Sequence, residues 1–279
     1  MLISGATANY YQLPFEQTLE IIAWAGFQYI ELDLYWEHKN WAMAQHLRGC
    51  APREVVRLIR QAGLSVASIH DGGGVLDGPD SIHGFINPQL AEYLDQLGYA
   101  PDCLVFHTPH IEGKLDETWW HAFSGRVIEA LDPFRSACRS ITIENMPFFD
   151  GYYVPLITPE QLLAFVCEAG LGVTLDTTHY AQIGVDITQA AKTLYGRVNT
   201  IHLSDYVDGK THVLFGDGEL DFPKFFSALD YSALHSITLE CAPTHLGENT
   251  AEMESIALAE RLKTARVRLE RWLPDYQGE

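Results

Sequence analysis

The segment TPEQLLAFVCEAGLGVTLDTTH, residues 158–179, holds one complete unit of the fold. Thr158-Pro159-Glu160 reads as a helix start, because proline suits the first helical position, where its missing N–H has no partner to lose. Ala169-Gly170 reads as the stop, with glycine free to take the left-handed conformation that ends a helix. The apolar run from Gly172 to Thr177 then reads as a strand covered on both faces. It delivers Asp176 and, three residues later, His179.

The same order recurs from end to end. Strands are expected at Leu2 to Thr7, Tyr29 to Leu34, Ser65 to His70, Cys103 to His107, Ser140 to Asn145, Gly172 to Thr177, Val198 to Ser204 and Ser236 to Cys241. Amphipathic stretches lie between them, opened by Pro14, Pro52 and Asp186 as well as by Thr158. Ala25-Gly26 and Ala62-Gly63 repeat the Ala-Gly stop in the same phase. Eight strands alternating with helices imply a parallel α/β architecture, a single (β/α)8 TIM barrel. Residues 1–279 suit one such domain, for which ~250 residues is typical, and no composition shift or linker divides the chain. A last helix from about Thr250 to Trp272 closes the barrel and carries a charged, solvated outer face. No period longer than the β/α unit suggests a solenoid.

Composition narrows the function. A formal net charge of −19 opposes binding to a phosphate backbone, so nucleic acid is not an expected partner. The start of the chain lacks a basic and apolar leader, and no window reaches ~18 uninterrupted apolar residues. A soluble cytoplasmic protein without a membrane role is expected. Cys50, Cys103, Cys138, Cys167 and Cys241 are widely spaced and form no CxxC pair, as expected of buried reduced thiols rather than a disulfide framework or zinc ribbon. The stretch from Gly216 to Asp221 lacks the third glycine and the strand and helix of a dinucleotide fingerprint.

In a (β/α)8 barrel the chemistry gathers at the C-terminal ends of the strands. Here those ends offer Glu31 and Asp33, His70 and Asp71, His107 and His110, Glu144 and Asn145, Asp176 and His179, His202 and Asp205, and Glu240. Any one could be a packing residue. Carboxylates that follow four apolar residues are costly to bury unpaired, and a shared cation removes that cost. Tyr10, Tyr11, Trp36, Phe148, Phe149, Tyr152 and Tyr153 could pack at the rim or wall a pocket. Gly72-Gly73-Gly74, with Gly78, reads as a lid or a plain surface loop.

Five strings resemble the xylose-isomerase-like superfamily of sugar epimerases, sugar-acid isomerases, inosose dehydratases and endonuclease IV. They are Thr142-Ile143-Glu144-Asn145, Leu175-Asp176-Thr177-Thr178-His179, Ile201-His202-Leu203-Ser204-Asp205, Leu239-Glu240, and His212 followed by Gly216 to Phe222. The resemblance implies that Glu144, Asp176, His202 and Glu240 hold one divalent ion, Mn2+, Co2+ or Mg2+, with Zn2+ also compatible. It implies Glu144 and Glu240 as the catalytic pair, exchanging protons with a small sugar-like substrate through an enediolate. His179, Glu31, His70, His107 and His212 are the expected substrate contacts. A homo-oligomer is left open.

Three other readings share these residues. One is dehydration of an inosose-type substrate. Another is an endonuclease IV-like zinc phosphodiesterase, since His70, His107, Glu144, Asp176, His179, His202, His212 and Glu240 match eight of that enzyme's nine ligands, while Lys210 falls at the ninth. A ligand-binding barrel without turnover is the last. Asp208 stands where the resembling epimerases carry an arginine, a departure from the free-ketose pattern. Lys39, Lys114 and Lys210 are the few cations expected near the mouth.

Overall fold

A computed structural model describes residues 1–34, 42–47, 49–71, 85–112, 117–242 and 249–273. Eight parallel strands close into a barrel: β1 (Leu2–Ala6), β2 (Tyr29–Asp33), β3 (Ser65–Asp71), β4 (Cys103–His107), β5 (Ser140–Glu144), β6 (Gly172–Asp176), β7 (Val198–Leu203) and β8 (Ser236–Leu239). Neighbours in sequence are neighbours in space, and β8 closes on β1 through Leu2↔Ser236 and Ile3↔Ile237. The expected strands are all present, within one or two residues at their ends.

Among the described residues, ten α-helices accompany them: α1 (Phe15–Trp24), α2 (Ala42–Leu47), α3 (Pro52–Gln61), α4 (Leu90–Leu97), α5 (Glu117–Leu131), α6 (Pro159–Ala169), α7 (Thr177–Gln182), α8 (Ile187–Thr193), α9 (Phe222–Ser227) and α10 (Ser255–Trp272). Thr158 caps α6 in a reciprocal capping box with Gln161, which satisfies two backbone N–H groups that the helix cannot reach. Gly170 follows at φ 63°, and Gly26 and Gly63 take the same left-handed conformation after α1 and α3. Gly172 is required for another reason: a Cβ there would lie 1.8 Å from Asn199 Oδ1.

Alternation along the strands sorts the side chains. Ile30, Leu32, Leu104, Phe106, Ile141, Ile143, Val173, Leu175, Ile201, Leu203, Ile237 and Leu239 belong to the apolar core that includes the helices. The other parity carries hydroxyls: Ser4 meets Thr238 at 2.9 Å, Thr142 meets Thr174 at 2.6 Å and Thr200 meets Ser236 at 2.8 Å. The strands are therefore less uniformly apolar than the sequence reading held, and their inner face is a floor of paired hydroxyls. Because side chains two apart share a face, Thr142 lies on that of Glu144, Thr174 on that of Asp176, Thr200 on that of His202 and Ser68 on that of His70.

Some details differ from expectation. Thr177 opens α7 instead of ending β6, because the Asp176 carboxylate accepts from His179 N at 2.6 Å and caps the helix. The C-terminal stretch breaks into a 3-10 turn, Thr250–Glu252, before α10. Two charges of α10 fold inward: Arg266 Nε donates to Ala25 O at 3.0 Å, and Arg268 Nη1 to Phe215 O at 2.9 Å. Cys103, Cys138 and Cys241 are buried thiols, whereas Cys167 is exposed and Cys50 half-buried. No helix among the described residues is long and apolar enough to cross a membrane.

Candidate metal centre

Glu144, Asp176, His202 and Glu240, from the ends of β5, β6, β7 and β8, each offer one donor atom, and these four atoms lie within 4.8 Å of one another. Glu144 and His202 are fully buried, and the Glu240 side chain is 14% exposed. His202 Nδ1 lies 2.6 Å from Glu240 Oε2 and 3.3 Å from Glu144 Oε2. These approaches are close without hydrogen-bond alignment: both Glu144 oxygens, Asp176 Oδ2, Glu240 Oε2 and both His202 ring nitrogens are buried with no hydrogen-bond partner. Leaving such atoms unsatisfied is expensive. Three carboxylates and an imidazole around one point suit a hard or borderline divalent cation.

The remaining predicted residues surround this group. Glu31, His70 and His202 form a second cluster, His70, His107 and Glu144 a third, and Asp176, His179 and His212 a fourth. Asp33, with His70 and Glu240, forms one more. Glu31 is fully buried, with Oε1 3.0 Å from His202 Nε2 and 3.6 Å from His70 Nδ1. Its other oxygen accepts from Ser68 Oγ at 2.6 Å. His70 is fully buried, its Nδ1 3.3 Å from Asp33 Oδ1 and its Nε2 3.1 Å from Glu144 Oε2. His107 and His179 are open to the mouth, at 17% and 10% exposure. His179 Nδ1 meets Asn145 O at 2.9 Å. Donation to that carbonyl commits Nδ1 to the backbone and leaves Nε2 as the ring nitrogen available to other groups. His212 is half-buried, at φ 55°, with its ring 5.4 Å from that of His179.

Electrostatics follow this crowding. Burial opposes ionisation of Glu144, yet His202, His179 and His70 beside it hold its carboxyl well below the usual range. Glu31 and Glu240 are also lowered: burial opposes their ionisation, but the imidazoles of His202 and His70 together outweigh it. Burial likewise opposes charging of His202 and His70, but the carboxylates around them raise both well above the ordinary imidazole value. His179 is raised to about 9 against its burial, by Asp176 and Glu144. His107 is pushed well below its ordinary value by burial, and His110 to about 4. Burial raises Asp33 above the ordinary aspartate value. Even with His70, His179 and His202 all protonated, the carboxylates of Glu31, Glu144, Asp176 and Glu240 outnumber the imidazoles beside them in a desolvated space, and a cation would offset the excess.

A belt of side-chain-to-backbone hydrogen bonds holds the strand ends. Thr7 Oγ1 accepts from Asp33 N at 3.0 Å and donates to Asp33 Oδ2 at 2.8 Å. Thr108 Oγ1 donates to Glu144 O at 2.8 Å. Thr177 Oγ1 donates to Ser204 O at 2.7 Å and accepts from Ser204 N at 3.2 Å. Asn9 Nδ2 donates to Leu239 O at 2.8 Å. These threonines were not singled out from sequence; their signal is a hydroxyl immediately or shortly after a strand.

Two other strand-end carboxylates shape loops. Asp205 accepts from the backbone N–H groups of Tyr206, Gly216, Gly218 and Leu220, and a Cβ at Gly218 would meet Asp205 Oδ1 at 2.4 Å. Asp71 accepts from Asn87 N at 2.7 Å. Of the aromatics, Tyr10 is fully buried, Tyr11, Phe148, Phe149 and Tyr152 are exposed, and Tyr153 is partly buried. Phe149 packs edge-on against His110 at 4.4 Å. Lys210 is exposed. Trp36, Lys39, Lys114 and the Gly72–Gly78 stretch lie outside the described residues.

A closed parallel barrel with acidic and imidazole donors at its C-terminal mouth defines a TIM barrel with a candidate metal centre. The family described as xylose isomerase-like TIM barrel matches residues 19–263, and the chain belongs to it. No curated protein matches. Among solved structures, the chain is similar to the IOLI protein with a bound zinc atom (17% identity, 98% of this chain and 99% of that one, TM-score 0.75). It is also similar to D-psicose 3-epimerase with D-tagatose from Clostridium cellulolyticum H10 (16%, 98% and 99%, 0.69). The AP endonuclease, family 2, from Brucella melitensis is another such structure (17%, 87% and 93%, 0.62). At these identities the likeness is one of fold.

Proposed function

We propose that the protein is a metal-dependent isomerase or epimerase of a small sugar-like substrate. The observation that carries this reading is the convergence of Glu144, Asp176, His202 and Glu240 with their donor atoms unsatisfied. A divalent ion held there polarises a carbonyl and stabilises the negative charge that develops when a neighbouring C–H proton leaves. Glu144 and Glu240 are the proton-exchanging pair. The surrounding imidazoles favour the ionised form of both, as the one that removes the proton must be; the other returns a proton to the opposite face and must carry it when it does so. His179, its Nδ1 occupied by the Asn145 carbonyl, presents Nε2 to a substrate oxygen. His107, His212, Glu31 and His70 complete the proposed substrate surroundings. Several neighbours of the same fold are ketose 3-epimerases, whose chemistry is proton exchange beside a carbonyl.

The test is incubation of the Mn2+-loaded protein with a panel of ketoses and inososes in deuterated water. Deuterium bound to substrate carbon is the expected result, and loss of water instead would indicate a dehydratase. Glu240→Gln should lower exchange at least 100-fold; undiminished turnover would remove Glu240 from the base role.

A phosphodiesterase is the second reading, because His70, His107 and Glu144 form one further cluster that shares Glu144 with the quartet, and Asp176, His179 and His212 another that shares Asp176. The net charge of −19 and the single lysine at the described mouth favour the sugar enzyme. Metal analysis separates them: about one ion per chain for the isomerase, and about three zinc ions for the nuclease. A protein that takes up no metal would support the noncatalytic reading.

A further inference from the structure

We infer that Asn145 is the positioning residue that sets the distance between the proposed ligands Glu144 and Asp176 by continuing the β5–β6 ladder with its side chain. The inference rests on the metal reading above and adds a residue outside the ligand set.

The backbone register between β5 and β6 runs Thr142↔Gly172, Ile143↔Val173 and Glu144↔Thr174, and ends there. One residue later the Asn145 carboxamide takes over. Its Oδ1 accepts from Asp176 N at 2.8 Å and its Nδ2 donates to Asp176 O at 3.1 Å. The backbone N–H and C=O of Asp176 are thus both held by one side chain. A carboxamide presents a donor and an acceptor in one plane, as a peptide does, so it can stand in for a strand residue. An ionised aspartate accepts only, a leucine does neither, and glutamine is one methylene too long for the span.

The backbone of Asn145 adds a third bond, since its carbonyl accepts from His179 Nδ1. Glu144 is the preceding residue, and its own carbonyl is held by Thr108 Oγ1 and by Thr108 N. Asn145 therefore ties together Glu144, Asp176 and His179, the parts of the centre supplied by β5 and β6. It is fully buried, so water cannot replace these bonds. Groups that orient ligands from behind typically contribute 10–100-fold to metal affinity.

The experiment is a Co2+ titration followed by visible absorption, which reads affinity and coordination geometry together. Wild type, Asn145→Ala, Asn145→Ser and the control Thr200→Val are compared. Thr200→Val removes one partner of a buried hydroxyl pair lower in the barrel, a loss of buried polar bonding in which no ligand side chain takes part. Asn145→Ala should bind Co2+ 10–100-fold more weakly with altered bands, Asn145→Ser should fall between, and Thr200→Val should titrate as wild type. If Asn145→Ala does not fold, weakened binding and altered bands in Asn145→Ser carry the result. Wild-type affinity and spectrum in whichever Asn145 variant folds would overturn the inference alone. A wild-type protein that binds no Co2+ would overturn the metal reading and this inference with it.

Discussion

At the scale of single residues, the gathering of acidic and imidazole side chains at the mouth was legible because barrel strands end where sequence runs of apolar residues end, and Glu144, Asp176, His202 and Glu240 stand at those points. The supports behind them were not. Thr7, Thr108 and Thr177 act through one hydroxyl each, at distances that depend on how two strands are staggered, and nothing in the local sequence marks that stagger. Burial of His110 has a measurable consequence. Its imidazole is pushed to about 4, first by burial and then by the charge of His179, against about 6.5 in an unfolded chain. Between those values the unfolded state binds the extra proton, so stability falls as pH drops from about 6.5 toward about 4. Urea unfolding across this range should show a shallower fall for His110→Gln than for wild type. Parallel curves would place the pH sensitivity on other groups.

At the scale of elements, starts and stops were read well because capping is local chemistry. Thr158 with Gln161, and Gly170 at φ 63°, sit within four residues of the groups they satisfy, so spacing alone reveals them. Thr158→Ala should destabilise the protein by about 1 kcal/mol, measured as a lower urea midpoint with an unchanged slope; no change would mean that tertiary contacts alone hold the first turn of α6. The 3-10 turn at Thr250–Glu252 and the inward Arg266 and Arg268 escaped the sequence reading for the opposite reason. Arg266 reaches Ala25 O, 241 residues away in sequence, and a charge on a helix looks solvated until the helix packed beside it is known. Burial of its guanidinium stem at the end of α1 also covers apolar surface.

At the scale of the whole molecule, closure of the barrel is what turns scattered carboxylates into a centre. Residues from Glu31 to Glu240 meet because β8 pairs with β1, above an inner face that carries paired hydroxyls. The cost of gathering these carboxylates is partly offset by three raised imidazoles, and on the metal reading proposed above a cation offsets the rest. The direct measurement is a crystal structure of the protein grown with saturating Mn2+, with anomalous diffraction locating the ion. A peak bounded by Glu144, Asp176, His202 and Glu240 at about 2.0–2.3 Å is the expected result. Those four side chains diverging around an empty centre at the same Mn2+ concentration would contradict it.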